Sequence, residues 1–238
     1  MNQRLLQKLR TGGRIAATLA FCLVLSALAL AQDNAPPSPD RAAGESQDPV
    51  AMALENYEKV TSYRVTLRST HGGSTEIIHY FFKRPDFVRM EFAKPHKGAV
   101  LIYDPTSKRV RLWPFGLSNA IALTLSPGNR LVRSAQGHRP DKSDIGVILE
   151  KVVRLQKRGK TSPQGQEQVG GKPAILVEVV GEEGFAVETT HRYLLDLDAS
   201  SMLPLRVRTY GLDGNLTEDV LMDDLETNVQ FDDSFFKP

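Results

Sequence analysis

Alternating apolar and polar residues restrict the fold of this chain more than any other feature. In "YRVTLRST" the apolar side chains Tyr63, Val65 and Leu67 are separated by polar ones. A period of two places successive side chains on opposite faces of a β-strand, so this pattern predicts strands with one apolar face. Turn residues such as Gly72-Gly73 and Asp213-Gly214 join neighbouring segments closely, which is typical of antiparallel hairpins.

Segments of this kind recur along the chain and predict nine to eleven strands in one large curved antiparallel sheet. The nine clearest are "YRVTLRST", "TEIIHYFF", "FVRMEFA", "AVLIYD", "KRVRLW", "PAILVEVV", "HRYLLDLD", "PLRVRTYG" and "NLTEDVLMDD".

Two segments have helical periodicity instead. The first begins at Asp48-Pro49, an N-cap side chain followed by proline at the first helical position, and covers 49–61. The second covers 144–158 and ends before Gly159, while residues 160–171 are rich in turn residues. We therefore predict an α+β fold in which two or three helices cover a mainly β domain.

The N-terminal part of the chain has the pattern of an export signal. A basic start precedes the apolar run Ile15–Leu30, and Ala29-Leu30-Ala31 fits a signal peptidase site, so residues 1–31 are predicted to be a cleaved signal peptide. A retained membrane anchor is the alternative. Residues 32–47 are rich in Pro, Ala, Ser and charge and predict a disordered linker, which leaves 48–238 as the folded domain.

Removal of the signal changes the charge and the cysteine content. Of the 30 basic residues, four lie in the signal, so 26 remain against 28 acidic ones, a net charge of −2. The basic isoelectric point is therefore no evidence for nucleic-acid binding, and none is expected. The only cysteine, Cys22, also lies in the signal, which excludes disulfides and cysteine chemistry in the remaining chain.

The helix-covered face of such a sheet allows two interpretations. A curved sheet under few helices can leave an apolar hollow that binds apolar ligands, or the helices can fill the space as an ordinary core. Arg84 follows the apolar row Ile78, Tyr80 and Phe82, and Pro85 favours an extended backbone there. Its donors would suit carbonyl groups on a covering helix, and an exposed salt bridge at the strand end is the alternative.

Several segments resemble a known superfamily. "EKVTSYRVTLRS", "FFKRPDFVRMEFAKP", "VRLWPF" and the closing "NVQFDDSFFKP" are similar to LolA/LolB-like proteins, which include the periplasmic lipoprotein carrier and RseB-type sensor domains. The resemblance implies an incomplete β-barrel, a periplasmic location, and an apolar cavity for acyl chains, with Arg84 as the residue that holds a lid closed. "YDP" at 103–105 departs from the carrier's pattern, and the central segment is closer to an uncharacterised secreted family of similar architecture.

These observations lead to a set of expected binding residues and partners. The expected ligands are acyl chains of lipoproteins or lipids, with membrane donor and acceptor proteins as further partners of a monomeric carrier in outer-membrane lipoprotein sorting. The alternative is a sensor or adaptor that binds a protein or a mislocalised lipoprotein. The predicted cavity residues are Tyr80, Phe82, Val88, Met90, Phe92, Ile102, Trp113, Ile148 and Val152.

The sequence contains little that indicates an active site. The five histidines are scattered without the paired spacing of a zinc site, and no metal or cofactor is expected. The best catalytic candidate is His138 with Asp141 or Ser143, but Ser143 and Asp144 are explained more simply as a helix N-cap. We therefore expect a binding protein, with a hydrolase as the alternative.

Overall fold

A computed structural model describes residues 47–119 and 121–237. The predicted signal peptide and all of the predicted linker except Gln47 lie outside the described residues.

The described chain has two α-helices, two short 3-10 helices and eleven strands. In chain order these are α1 (Pro49–Glu58), β1 (Ser62–His71), β2 (Ser74–Lys83), β3 (Phe87–Lys94), β4 (Val100–Asp104), β5 (Arg109–Trp113), β6 (Leu123–Leu125), 3-10 helices at Arg130–Val132 and Pro140–Lys142, α2 (Ile145–Gln156), β7 (Gly159–Val169), β8 (Lys172–Gly181), β9 (Arg192–Asp198), β10 (Pro204–Tyr210) and β11 (Leu216–Thr227).

All eleven strands form one antiparallel sheet. Its order is β6-β5-β4-β3-β2-β1-β11-β10-β9-β8-β7, so β1 and β11 meet in the middle and β6 and β7 are the two edges. Each of the other neighbouring pairs is consecutive in the chain, as the short turn-rich links predict. Because the edges do not pair with each other, the sheet is open, and the predicted α+β class with a large antiparallel sheet is confirmed.

The two helices lie where the sequence places them, with shorter ends than predicted. Asp48 caps α1 by accepting from the Val50 amide at 3.0 Å, and Asp144 caps α2 by accepting from the amides of Gly146 and Val147. Gln156 at the end of α2 donates to Asp48 at 2.7 Å, so the helices run antiparallel. No helix in the described ranges is long and apolar enough to cross a bilayer.

The prediction of turns over 160–171 is wrong, because β7 occupies most of that stretch. This strand is a sheet edge and most of its residues are exposed. It accommodates Pro163 and Gly165 at an irregularity in its pairing with β8. An exposed edge strand needs no alternating apolar residues and tolerates proline at a bulge, so its sequence resembles a loop.

Apolar side chains occupy both faces of the sheet. The main cluster joins the helices to one face and includes Val50, Tyr57, Leu149 and Leu155. On the other face, Trp113 and Phe236 belong to a second cluster, against which further phenylalanines pack. The C-terminal segment after β11 therefore covers part of the face that lacks helices.

Candidate functional site

Seven of the nine predicted cavity residues lie together where the sheet and α2 meet in the main cluster. Four of them are buried in the main cluster and three are partly buried against it. The buried four are Tyr80, Phe82, Val88 and Val152, and the other three are Met90, Phe92 and Ile148. They contact the helices and the sheet as a packed core, so an acyl chain can enter this region only if a covering element moves.

The structure does not bring Ile102 and Trp113 together with the other seven. Both belong to the second cluster with Phe236, on the opposite face of the sheet. In β4 the residues Leu101 and Tyr103 face the helices, so Ile102 faces away. The prediction was wrong about this grouping because "VLIY" is apolar at every position and its alternation cannot identify a face.

Three tyrosines, one from α1 and two from the sheet, meet the start of α2. Tyr57 donates to Asp144 Oδ1 at 2.8 Å, and the Tyr80 hydroxyl lies 3.1 Å from Ser143 Oγ. The Tyr63 hydroxyl accepts from the amide of Ile145 at 3.2 Å. A buried tyrosine needs a partner for its hydroxyl, and here the polar start of α2 provides all three.

The rings of these tyrosines form a continuous aromatic group with Phe82. Tyr63 stacks on Tyr80 and on Phe82, with ring centroids 5.8 and 5.1 Å apart. Burial is the main cause that raises the pKa of Tyr57, Tyr63 and Tyr80, and Asp144 adds to the shift at each of them. The three hydroxyls therefore stay protonated and serve as hydrogen-bonding groups.

Arg84 lies at the end of α1. Its Nε donates to the Val60 carbonyl at 2.7 Å, and its Nη2 donates to the carbonyls of Tyr57 and Glu58 at 3.1 and 3.4 Å. The guanidinium carbon is 5.3 Å from the centroid of the Tyr57 ring. The last carbonyls of a helix lack helical partners and carry partial negative charge, so one cation satisfies several of them. Its action as a lid latch stays a prediction.

A second arginine provides a contrast. Arg64 projects from β1 and forms an exposed salt bridge with Glu226 of β11. This is the strand-surface arrangement that was the alternative for Arg84. Arg84 also lies at the surface, but its partners are the backbone carbonyls that end a helix.

Two further contacts hold α1 in place. Gly146 of α2 lies against the Tyr57 ring, so closely that a Cβ at residue 146 would stand 2.4 Å from Cε1. Asn56 donates to the Ser201 carbonyl in the turn between β9 and β10 at 3.0 Å. The α1 helix is thus attached to α2, to the turn after β2 through Arg84, and to the turn between β9 and β10.

Two surface hollows lie away from the seven clustered residues, and the first is lined by the other two predicted residues, Ile102 and Trp113. One, of about 220 Å³, lies along β5 on the face without helices and is lined by Arg109, Arg111 and Trp113 among others. The other, of about 450 Å³, lies along α1 and is lined by Ala51 and Glu55 among others.

The residues of the hydrolase alternative each have a partner elsewhere. His138 Nε2 lies 2.9 Å from Glu218, Asp141 pairs with Arg139, and Ser143 donates to the Pro140 carbonyl. Burial acts to raise the pKa of Glu218, but the interactions with His138, Ser69 and His71 together outweigh it and hold that pKa below its ordinary value. Within 47–119 and 121–237, no three His, Cys, Asp or Glu side chains are grouped as metal ligands.

The sequence matches no family model and no curated protein. Solved structures similar to it include the lipoprotein LppX of Mycobacterium tuberculosis, with a TM-score of 0.49 and 11% identity over 77% of this chain and 96% of that one. The MucA/MucB complex of Pseudomonas aeruginosa has a TM-score of 0.46 and 18% identity, over 80% of this chain and 60% of that one. A LolA superfamily protein of Nitrosomonas europaea has a TM-score of 0.33 and 12% identity, over 80% of this chain and 96% of that one.

Proposed function

We propose that this chain is an exported, non-enzymatic protein of the periplasm that binds acyl chains of lipids or lipoproteins between α1 and the sheet. In this account the arrangement described above is the closed, empty form. The contact of Arg84 with the carbonyls that end α1 carries the proposal, because one side chain of the turn after β2 holds the end of a covering helix. We call α1 the lid.

The lid is attached less extensively than α2. Its buried residues are Val50, Ala53 and Tyr57, whereas α2 buries five, including Leu149, Val152 and Leu155. An element with few buried apolar contacts opens at lower free energy than one at the centre of a core. Displacing α1 alone would remove the Tyr57 ring from the rings of Tyr63 and Phe82 and make them accessible to a ligand.

The energies of opening and binding are of similar size. Exposing the few buried side chains of the lid costs roughly 5 kcal/mol at about 2 kcal/mol for each large one. The Arg84 hydrogen bonds add about 1 kcal/mol each. A sixteen-carbon acyl chain gains on the order of 10 kcal/mol at about 0.8 kcal/mol per methylene. Binding is therefore reversible, as a carrier requires.

The Arg84→Leu substitution tests the proposal. Apparent affinity equals intrinsic affinity reduced by the fraction of molecules that are open. Loss of the Arg84 hydrogen bonds raises that fraction, so we expect a fluorescent fatty-acyl probe to bind Arg84→Leu at least about tenfold more tightly and to dissociate more slowly. Equilibrium titration and stopped-flow displacement measure both quantities.

Arg64→Leu is the matched control, since it removes an arginine from the neighbouring strand without touching α1. It should bind the probe as the unchanged protein does. Failure of all three folded proteins to bind the probe would refute acyl binding. Equal binding by the unchanged protein and Arg84→Leu would refute the latch.

A further inference from the structure

One long segment combines exposed apolar side chains with an excess of positive charge. Residues 105–140 contain six Lys or Arg and no Asp or Glu, although the chain after residue 31 has a net charge of −2. Of the seven large apolar side chains that are exposed in the described ranges, five lie in this segment. They are Phe115, Leu117, Ile121, Leu123 and Leu131.

The fold places a second basic turn beside the loop that follows β5. Gly116 lies against the turn between β3 and β4, where a Cβ at residue 116 would stand 3.1 Å from the Gly98 carbonyl oxygen. Residues 94–98 of that turn are exposed and include Lys94 and Lys97. The apolar loop after β5 is therefore next to cationic side chains from a separate hairpin.

The hollow along β5 adds further cations. Arg109, Arg111 and Lys237 line it together with Trp113, and Asp104 is the single acidic residue in its wall. The guanidinium of Arg111 lies over the Trp113 ring, 4.6 Å from its centroid. The loop that carries Phe115 and Leu117 leaves β5 immediately after Trp113.

We propose that this surface, comprising residues 105–119 and 121–133 and the turn 94–98, docks onto a bilayer leaflet rich in anionic phospholipid. Exposed apolar side chains among basic residues are the composition of surfaces that lie in a membrane interface. The apolar side chains would enter the headgroup region, and the Lys and Arg residues would face the negative surface. The complementary charge favours this occupant over a neutral bilayer. The inference is independent of acyl binding.

Vesicle binding by the exported full-length protein tests this inference. We expect binding to phosphatidylcholine vesicles to rise as phosphatidylglycerol is added and to fall as salt screens the charges. The triple substitution Phe115→Ser, Leu117→Ser and Ile121→Ser should weaken this binding at least about tenfold. The double substitution Arg109→Gln and Arg111→Gln should reduce the dependence on phosphatidylglycerol.

Leu212→Ser with Leu216→Ser is the matched control, because these exposed leucines lie at the β10–β11 turn, outside the proposed surface. Circular dichroism checks that each variant folds. Equal binding to neutral and anionic vesicles, or equal loss in the triple variant and the control, would overturn the inference. Self-association that the triple variant abolishes, with vesicle binding unchanged, would instead assign this surface to a second copy of the chain.

Discussion

Two residues set the separation of the helices, and their contact leads to a prediction at the residue scale. A Cβ at Gly146 would stand 2.4 Å from Cε1 of Tyr57, whose hydroxyl is held by Asp144. Gly146→Ala therefore forces α1 away from α2 and should lower the free energy of unfolding by about 1–3 kcal/mol. Urea denaturation measures this loss, and hydrogen exchange should show faster exchange in α1 than in the sheet.

Gly128→Ala is the control for this prediction. The nearest atom to a Cβ at residue 128 is Arg133 Nη2 at 3.6 Å, an ordinary contact. This variant should keep the stability of the unchanged protein. A Gly146→Ala protein as stable as the control would show that the helices are not packed at this contact.

At the same scale, the sequence predicts some site residues better than others. Arg84 is identifiable because it continues an aromatic strand and precedes proline. The face of Ile102 is not identifiable, since its strand is apolar throughout. The meeting of the Tyr57, Tyr63 and Tyr80 hydroxyls with α2 depends on tertiary packing, although three tyrosines at apolar positions are a signal that polar partners must exist.

At the scale of elements, one buried carboxyl links three strands and predicts a pH dependence. Asp196 of β9 is fully buried and accepts from Arg208 of β10, which also pairs with Glu167 of β7. Burial is the main cause that raises the pKa of Asp196 to about 7, with a further contribution from Glu167 and opposition from Arg208. The folded protein thus holds this proton at a pH where the unfolded chain has lost it.

The sign of the effect follows from this raised pKa. The Asp196 carboxyl contributes its full stabilisation below the ordinary pKa of about 3.9, and this stabilisation is lost as the pH rises through about 7. We expect the free energy of unfolding to fall by at least about 1 kcal/mol between about pH 5 and 8. Asp196→Asn removes the titrating group and should flatten this slope. Parallel slopes for the two proteins in denaturant titrations would contradict the assignment.

The predictability of each element depends on what covers it. Both helices have N-caps and an apolar face, and the central strands alternate because one face packs beneath the helices, so these elements are visible in the sequence. The edge strands β6 and β7 lack such a pattern, since they are short or largely exposed. Burial of one face is what selects alternating apolar residues, so strands without a buried face show no such alternation.

At the scale of the whole molecule, the open sheet separates two surfaces with different properties. One face carries the lid and the aromatic group beneath it, and the other carries the second apolar cluster and the cationic hollow along β5. In our account the first face holds the acyl chain and the loop after β5 brings the protein to a membrane. A stable protein partner would instead indicate the sensor alternative.

The most direct test of the account is native mass spectrometry of the exported protein, purified without detergent and then mixed with palmitate. We expect a population with one bound acyl species. In Arg84→Leu this population should be larger at equal palmitate concentration, because the lid opens more readily. A folded protein that carries no lipid from the cell and gains no palmitate adduct in either form would contradict the claim that α1 opens to admit an acyl chain.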